Sequence, residues 1–259
     1  MKLYIPVAGT WGRKKFRNDD WFRAGSSIDA LLNDLGYARV DQNNDPARPD
    51  AGFWSGDVGG LLIQQLSPWM SHDEVWREGA ENLVRFFHAR RRELVDCEEV
   101  AIIAHSHGGQ VVSFALQTMR DNGKHSTVLP KIRVVTVDMP VRTGRFLFFF
   151  SRGMDETYQD ALTAVDGRWT HLYSGRGLKS RMRWLGNRFG PRRLRGALLN
   201  CQIPGGHSGV LRESRWFYVW KDIMSGVCPG HRQATAAASI PTPSTPGGSS
   251  ACSPSGARP

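Results

Sequence analysis

Two rhythms of apolar residues alternate along the chain. Lys2–Val7, Val100–Ala104, Ile132–Val137 and Trp169–Tyr173 read as strands, and the unbroken apolar run Val100-Ala101-Ile102-Ile103-Ala104 suits one covered on both faces. Between them, apolar residues recur at helical spacing. Ser27 caps a helix that sets Ile28, Leu31, Leu32 and Leu35 on one face, and Gly36 ends it. Ser71 followed by Glu74 forms a capping box ahead of a long helix whose stripe is Val75, Trp76, Leu83, Val84 and Phe87. Further helices are expected from Gly109 through Met119, over Asp155–Val165, and over Ser208–Ile223 with Val210, Leu211, Phe217, Val219 and Trp220. Strands alternating with helices predict an α/β fold, a mainly parallel sheet flanked by helices.

The pattern stops near Cys228. From there to Pro259 the chain has no acidic residue and no aromatic, and Pro, Ser, Thr, Ala and Gly dominate. Such a segment has too little apolar surface to offset its ordering entropy, so 227–259 reads as a disordered tail and 1–226 as the folded domain. No internal repeat is visible.

Composition narrows the class only modestly. Hydrophobic residues make up 40% and charged residues 22% of 259, which allows an ordinary buried core. The net charge of +10 admits anionic partners without choosing among them. Cys97, Cys201, Cys228 and Cys252 include no CxxC pair, which argues against a disulfide scaffold or a zinc ribbon. No His/Cys/carboxylate cluster has ligand spacing, so neither a metal nor another cofactor is expected. Met1–Val7 is too short for a signal peptide, and an apolar run of five such as Phe146–Phe150 is too short to cross a bilayer. With the cysteines taken as unpaired, these features predict a soluble, cytoplasmic protein.

The most informative segment is Ala104-His105-Ser106-His107-Gly108-Gly109, between a buried strand and a helix. A serine on a sharp strand-to-helix turn is pushed clear of the sheet with its hydroxyl presented. Small residues two before and two after it are needed because the backbone passes close to its neighbours. The competing reading is a serine that merely caps the helix. A weak alcohol nucleophile needs a base, and eight histidines are available. His207 stands out because it follows Pro204-Gly205-Gly206 near the C-terminus, where a glycine-rich loop lets an imidazole hang over the sheet edge. Its plainer role is that of an exposed neighbour of a helix N-cap.

On these residues the chain resembles the α/β-hydrolase superfamily, in its lipase and esterase branch. The resemblance runs from Leu3-Tyr4-Ile5-Pro6-Val7-Ala8-Gly9-Thr10-Trp11-Gly12 to Ile203-Pro204-Gly205-Gly206-His207-Ser208. It implies Ser106 as nucleophile and His207 as base. It also implies an oxyanion hole built from the backbone N–H of Thr10 or Trp11 and that of His107. The motif is AxSxG where the family usually has GxSxG. The family's usual acid follows the strand at Trp169–Tyr173, yet no acidic residue occurs between Asp166 and Glu213. Asp138, at the end of the strand after the nucleophile's, is the alternative acid; pancreatic-type lipases place theirs at that strand end. A local turn role for Asp138, and a Ser–His dyad held by a backbone carbonyl, remain beside it.

The segment after Asp138 is where the family inserts its lid. There Phe146, Phe148 and Phe149 suit an acyl-chain pocket, with Trp54 as a further wall; plain core filling is the competing reading for each. Arg176–Arg195 carries most of the surplus positive charge and fits an anionic membrane surface or a solvated face. It has no RRM, KH or helix-turn-helix signature, which argues against nucleic acid. Two functions compete: a serine esterase or lipase with an ester or lipid substrate, and a catalytically silent hydrolase-like fold that binds a ligand or an anionic surface.

Overall fold

A computed structural model of the chain describes residues 1–9, 25–40, 72–141, 154–174, 193–203, 209–212 and 217–227. In chain order these form β1 (Lys2–Val7), α1 (Ser27–Asp34), β2 (Tyr37–Arg39), α2 (His72–Ala89), α3 (Arg91–Asp96), β3 (Glu99–His105), α4 (Gly108–Asp121) and β4 (Ile132–Val137). Then follow α5 (Asp155–Ala164), β5 (Trp169–Ser174), β6 (Leu199–Ile203), α6 (Gly209–Arg212) and α7 (Phe217–Met224). Met1–Pro229 is one compact unit; the second, Gly230–Pro259, lies outside the described residues, as does nearly all of the expected tail.

The six strands make one sheet in the order β2-β1-β3-β4-β5-β6, and every neighbouring pair is parallel. Parallel strands need crossovers that cover both faces, and the burial follows that demand. Leu3, Ile5 and Val7 of β1, Ile102 and Ala104 of β3, and Val134 of β4 point to one side, where they pack with Trp76, Leu83 and Phe87 of α2 and with residues of α4 and α5. Tyr4, Ala101, Ile103, Val135, Val137 and Leu172 point to the other, against Ile28 and Leu32 of α1 and Val219, Trp220 and Ile223 of α7. The fold class expected from the sequence is the one observed.

Several local expectations shift. Ser26 caps α1, its hydroxyl accepting from the Asp29 N–H at 3.2 Å, so the cap lies one residue before Ser27. Gly36 ends that helix region as expected, with a left-handed φ of 84° that favours glycine. Of the expected last helix over Ser208–Ile223, the described parts are helical, as α6 and α7, and 213–216 between them lie outside the described residues. The short edge strands β2 and β6 carry little apolar pattern and were not expected. Among the described residues, no helix is long and apolar enough to cross a membrane.

The unpaired-cysteine expectation is corrected at Cys201, which is buried on β6 and disulfide-bonded. Cys97 is free, and Cys228 and Cys252 lie outside the described residues. That removes cysteine usage as an argument for a cytoplasmic location.

Candidate active site

The strand order sets where a site can form. From β1 the chain moves to β2 on one side and then to β3 on the other, so the direction of winding reverses between β1 and β3. In parallel α/β sheets the crevice at the carboxyl ends of two such strands is the place where ligands bind. Here that crevice is bounded by Gly9, two residues past β1, and by Ser106, the residue that follows β3.

Ser106 has a φ of 52°, a left-handed conformation costly for a residue with a Cβ. The turn around it is held by the Ser106 N–H donating to the Val137 carbonyl at 2.8 Å and by the Gly109 N–H donating to the Ser106 carbonyl at 3.1 Å. Helix α4 starts at Gly108, so its N-terminal end, where backbone N–H groups favour negative charge, lies beside the serine. The spacing of small residues has a steric basis. A Cβ on Gly108 would come within 2.7 Å of the Ala8 carbonyl oxygen and 2.8 Å of that of Val7. A Cβ on Gly9 would come within 2.8 Å of both the His105 carbonyl oxygen and the Ser106 Cβ. The end of β1 and the serine turn are therefore in direct contact, and glycine at both positions permits it.

His107 follows the serine as the first half-buried residue of the turn. Its ring stacks on the buried indole of Trp76 from α2, with centroids 5.6 Å apart and planes inclined by 20°. That contact fixes the side chain whose own backbone N–H is the candidate oxyanion donor.

Asp138 follows β4 at the same sheet edge and is buried. It too is left-handed, with φ 49°, and its N–H donates to the Leu172 carbonyl at 2.8 Å. Ser106 and Asp138 are thus the residues directly after two adjacent strands, joined through the hydrogen bond from Ser106 to Val137. Both end on the carboxyl edge, as parallel pairing requires.

His207, Thr10, Trp11, Phe146, Phe148, Phe149 and Trp54 lie outside the described residues, as do most of the basic residues of Arg176–Arg195. The glycine-rich segment carrying His207 begins directly after β6, and Gly9 leads directly into Thr10.

His105, the last residue of β3, is buried at this edge beside the serine, its Nδ1 3.3 Å from where a Cβ on Gly9 would stand. His171 is fully buried within β5, its Nδ1 2.8 Å from the Thr136 hydroxyl, which also accepts from the Trp169 indole N–H at 2.9 Å. His125 is buried with its ring edge on His88, and burial first, then the charges of His88, Arg91 and Lys124, hold its pKa below the usual imidazole value. Among the described residues no group of three side chains could hold a metal ion.

Sequence reasoning passed over Gln110 and the stacking role of Trp76. Gln110 is wholly buried on α4, and its Nε2 donates to the Pro140 carbonyl at 2.6 Å. Its signal was a polar side chain in the otherwise apolar start of that helix. Trp76 was legible only as a member of an apolar stripe.

No family model matches the chain, and no curated protein matches it. Among solved structures it is similar to one described as a predicted CIB-like hydrolase from Thermoplasma acidophilum. The two are 11% identical with a TM-score of 0.44, over 87% of each chain. Strand order gives this chain an α/β fold with an all-parallel sheet flanked by helices, and a left-handed serine directly follows β3.

Proposed function

We propose that the chain is a serine hydrolase that cleaves carboxylic esters through Ser106, His207 and Asp138. The observation that carries the reading is Ser106 itself. It is held left-handed between a strand and a helix, at the winding reversal of the sheet, with glycines at 9 and 108 where a side chain would collide. Strain of this kind persists only where the surroundings over-determine it, and it concentrates at functional sites. A helix cap needs no such conformation, because an N-cap residue ordinarily has extended backbone.

In the proposed reaction the His207 imidazole takes the Ser106 proton while the oxygen attacks the ester carbonyl. The N–H of His107, with that of Thr10 or Trp11, receives the developing oxyanion, and the start of α4 adds its favourable field. Collapse expels the alcohol, which takes the proton from His207, and leaves an acyl group on Ser106. Water then attacks the acyl carbonyl with His207 again as base, which releases the acid and restores the serine. Asp138 accepts a hydrogen bond from the far ring nitrogen and fixes the tautomer. Phe146, Phe148, Phe149 and Trp54 are the proposed acyl-chain contacts. The basic run Arg176–Arg195 supports an anionic lipid surface as the place of action, at about 1 kcal/mol per basic residue near such a surface.

Hydrolysis of p-nitrophenyl esters of graded chain length, run beside phospholipid vesicles, tests the reading. Turnover that disappears in Ser106→Ala is expected. Turnover equal in wild type and Ser106→Ala removes Ser106 as the nucleophile, and none from folded wild type returns the chain to the class of silent binding folds.

A further inference from the structure

The turn that carries Asp138 is fastened to the serine-bearing turn and helix on both of its flanks. Before it, the Val137 carbonyl accepts from the Ser106 N–H at 2.8 Å. After it, the Pro140 carbonyl accepts from Gln110 Nε2 at 2.6 Å. Between these, the side chain of Met139 lies over Gly109, where a Cβ would come within 2.6 Å of the Met139 Cγ. Consecutive residues of α4, Gly109 and Gln110, thus grip consecutive residues of the turn, Met139 and Pro140.

Gln110 is an odd choice if stability alone is at stake. It is fully buried, and while its Nε2 is satisfied, its Oε1 is buried with no hydrogen-bond partner among the described residues. A half-satisfied buried amide costs stability that an apolar side chain of similar volume would not. Polar groups kept at such a cost are found where geometry matters for function. The residue that the clamp brackets is Asp138, whose φ of 49° needs outside support to persist.

We propose that Gln110 is a positioning residue, whose amide clamp on Pro140 sets the direction from which the Asp138 carboxylate meets the histidine base. The inference rests on the Ser106–His207–Asp138 reading above. Without the clamp the turn can relax toward ordinary backbone angles, and the carboxylate swings from its line of approach. Substrate contacts are untouched, so the loss falls on kcat rather than KM.

Two variants test it, with p-nitrophenyl butyrate turnover across pH 5 to 9, fluorophosphonate labelling and circular dichroism. Gln110→Met keeps the volume and removes the donor. It is expected to lower kcat roughly ten- to hundred-fold, as a displacement approaching 1 Å does, with KM within about two-fold. Gln110→Glu makes the donor titratable. The introduced carboxyl is buried, so its pKa is raised; protonated, it donates to the Pro140 carbonyl, and ionised, it cannot. Its kcat relative to wild type is therefore expected to be near one at pH 5 and to fall as pH rises, at constant circular dichroism. A ratio to wild type that is flat with pH, or a Gln110→Met kcat equal to wild type, overturns the inference. Loss of fold in both variants at every pH also overturns it, assigning Gln110 to stability. Failure of the underlying reading looks different: wild type itself then shows no Ser106-dependent labelling.

Discussion

Replacing Gly9 with alanine tests the steric logic of the site with a single methyl group. The added Cβ would lie 2.8 Å from the His105 carbonyl oxygen and 2.8 Å from the Ser106 Cβ, where ordinary contact begins at 3.4 Å. The neighbours must give by about 0.6 Å, and neither is the far end of a flexible side chain. One is backbone next to the serine, and the other is the serine's own Cβ. Overpacking of this sort costs roughly 1–3 kcal/mol of stability. The cost to chemistry is larger in relative terms, because the displaced atoms are the nucleophile and the strand end leading to Thr10. A displacement near 1 Å costs about 100-fold in rate, so 0.6 Å is expected to cost roughly 10- to 100-fold. The second-order rate constant for fluorophosphonate modification of Ser106 measures the chemistry, and thermal unfolding measures the fold. Labelling at the wild-type rate with an unchanged Tm would falsify the contact between the end of β1 and the serine turn.

Further outcomes follow from the same structure. Asp138→Asn is expected to lower kcat by about 10⁴-fold, whereas Asp166→Asn, also left-handed with φ 52° but after α5, should leave it within about two-fold; equal effects in an ester assay refute the choice of acid. The depressed pKa of His125 means the unfolded chain binds the extra proton more readily, so stability rises with pH between the folded pKa and about 6.5, and it is lost on acidification through that window. Thermal unfolding should show Tm falling from pH 7 to pH 5, and His125→Gln should flatten the slope; an unchanged slope counts against it. Peptide mapping without reduction should find Cys201 paired with Cys228 or Cys252 and Cys97 free, and reduction should lower stability by about 2–5 kcal/mol. Three free thiols at 201, 228 and 252 would contradict it.

The parts of the fold written in continuous apolar runs were legible from sequence. Val100–Ala104 is buried on both faces, so its neighbours in space impose the same hydrophobicity at every position, and Ile132–Val137 follows the same pattern apart from Arg133 and Thr136. β2 and β6 were not legible because Tyr37-Ala38-Arg39 and Leu199-Asn200-Cys201-Gln202-Ile203 are edge strands, half-paired and mixed in polarity. The sharp turn at Ser106 was legible because a steric demand leaves a compositional trace, small residues on both sides of the turn. Asp138 was only an expectation, since nothing in Val137-Asp138-Met139-Pro140 announces a left-handed backbone. Gln110 stood out only as a polar side chain in an apolar helix start; its partner is a backbone carbonyl thirty residues away, and a backbone acceptor leaves no mark on the sequence. Cys201 misled because pairing depends on spatial proximity that spacing along the chain does not encode.

The most direct test is a crystal structure of the protein after reaction with a fluorophosphonate. Phosphorus bonded to Ser106 Oγ is expected, with the phosphoryl oxygen on the N–H of His107. The His207 ring should lie within about 3 Å of the serine oxygen, its far nitrogen facing Asp138. An adduct elsewhere, or an imidazole of His207 pointing away from an unmodified Ser106, would contradict the catalytic account at its root.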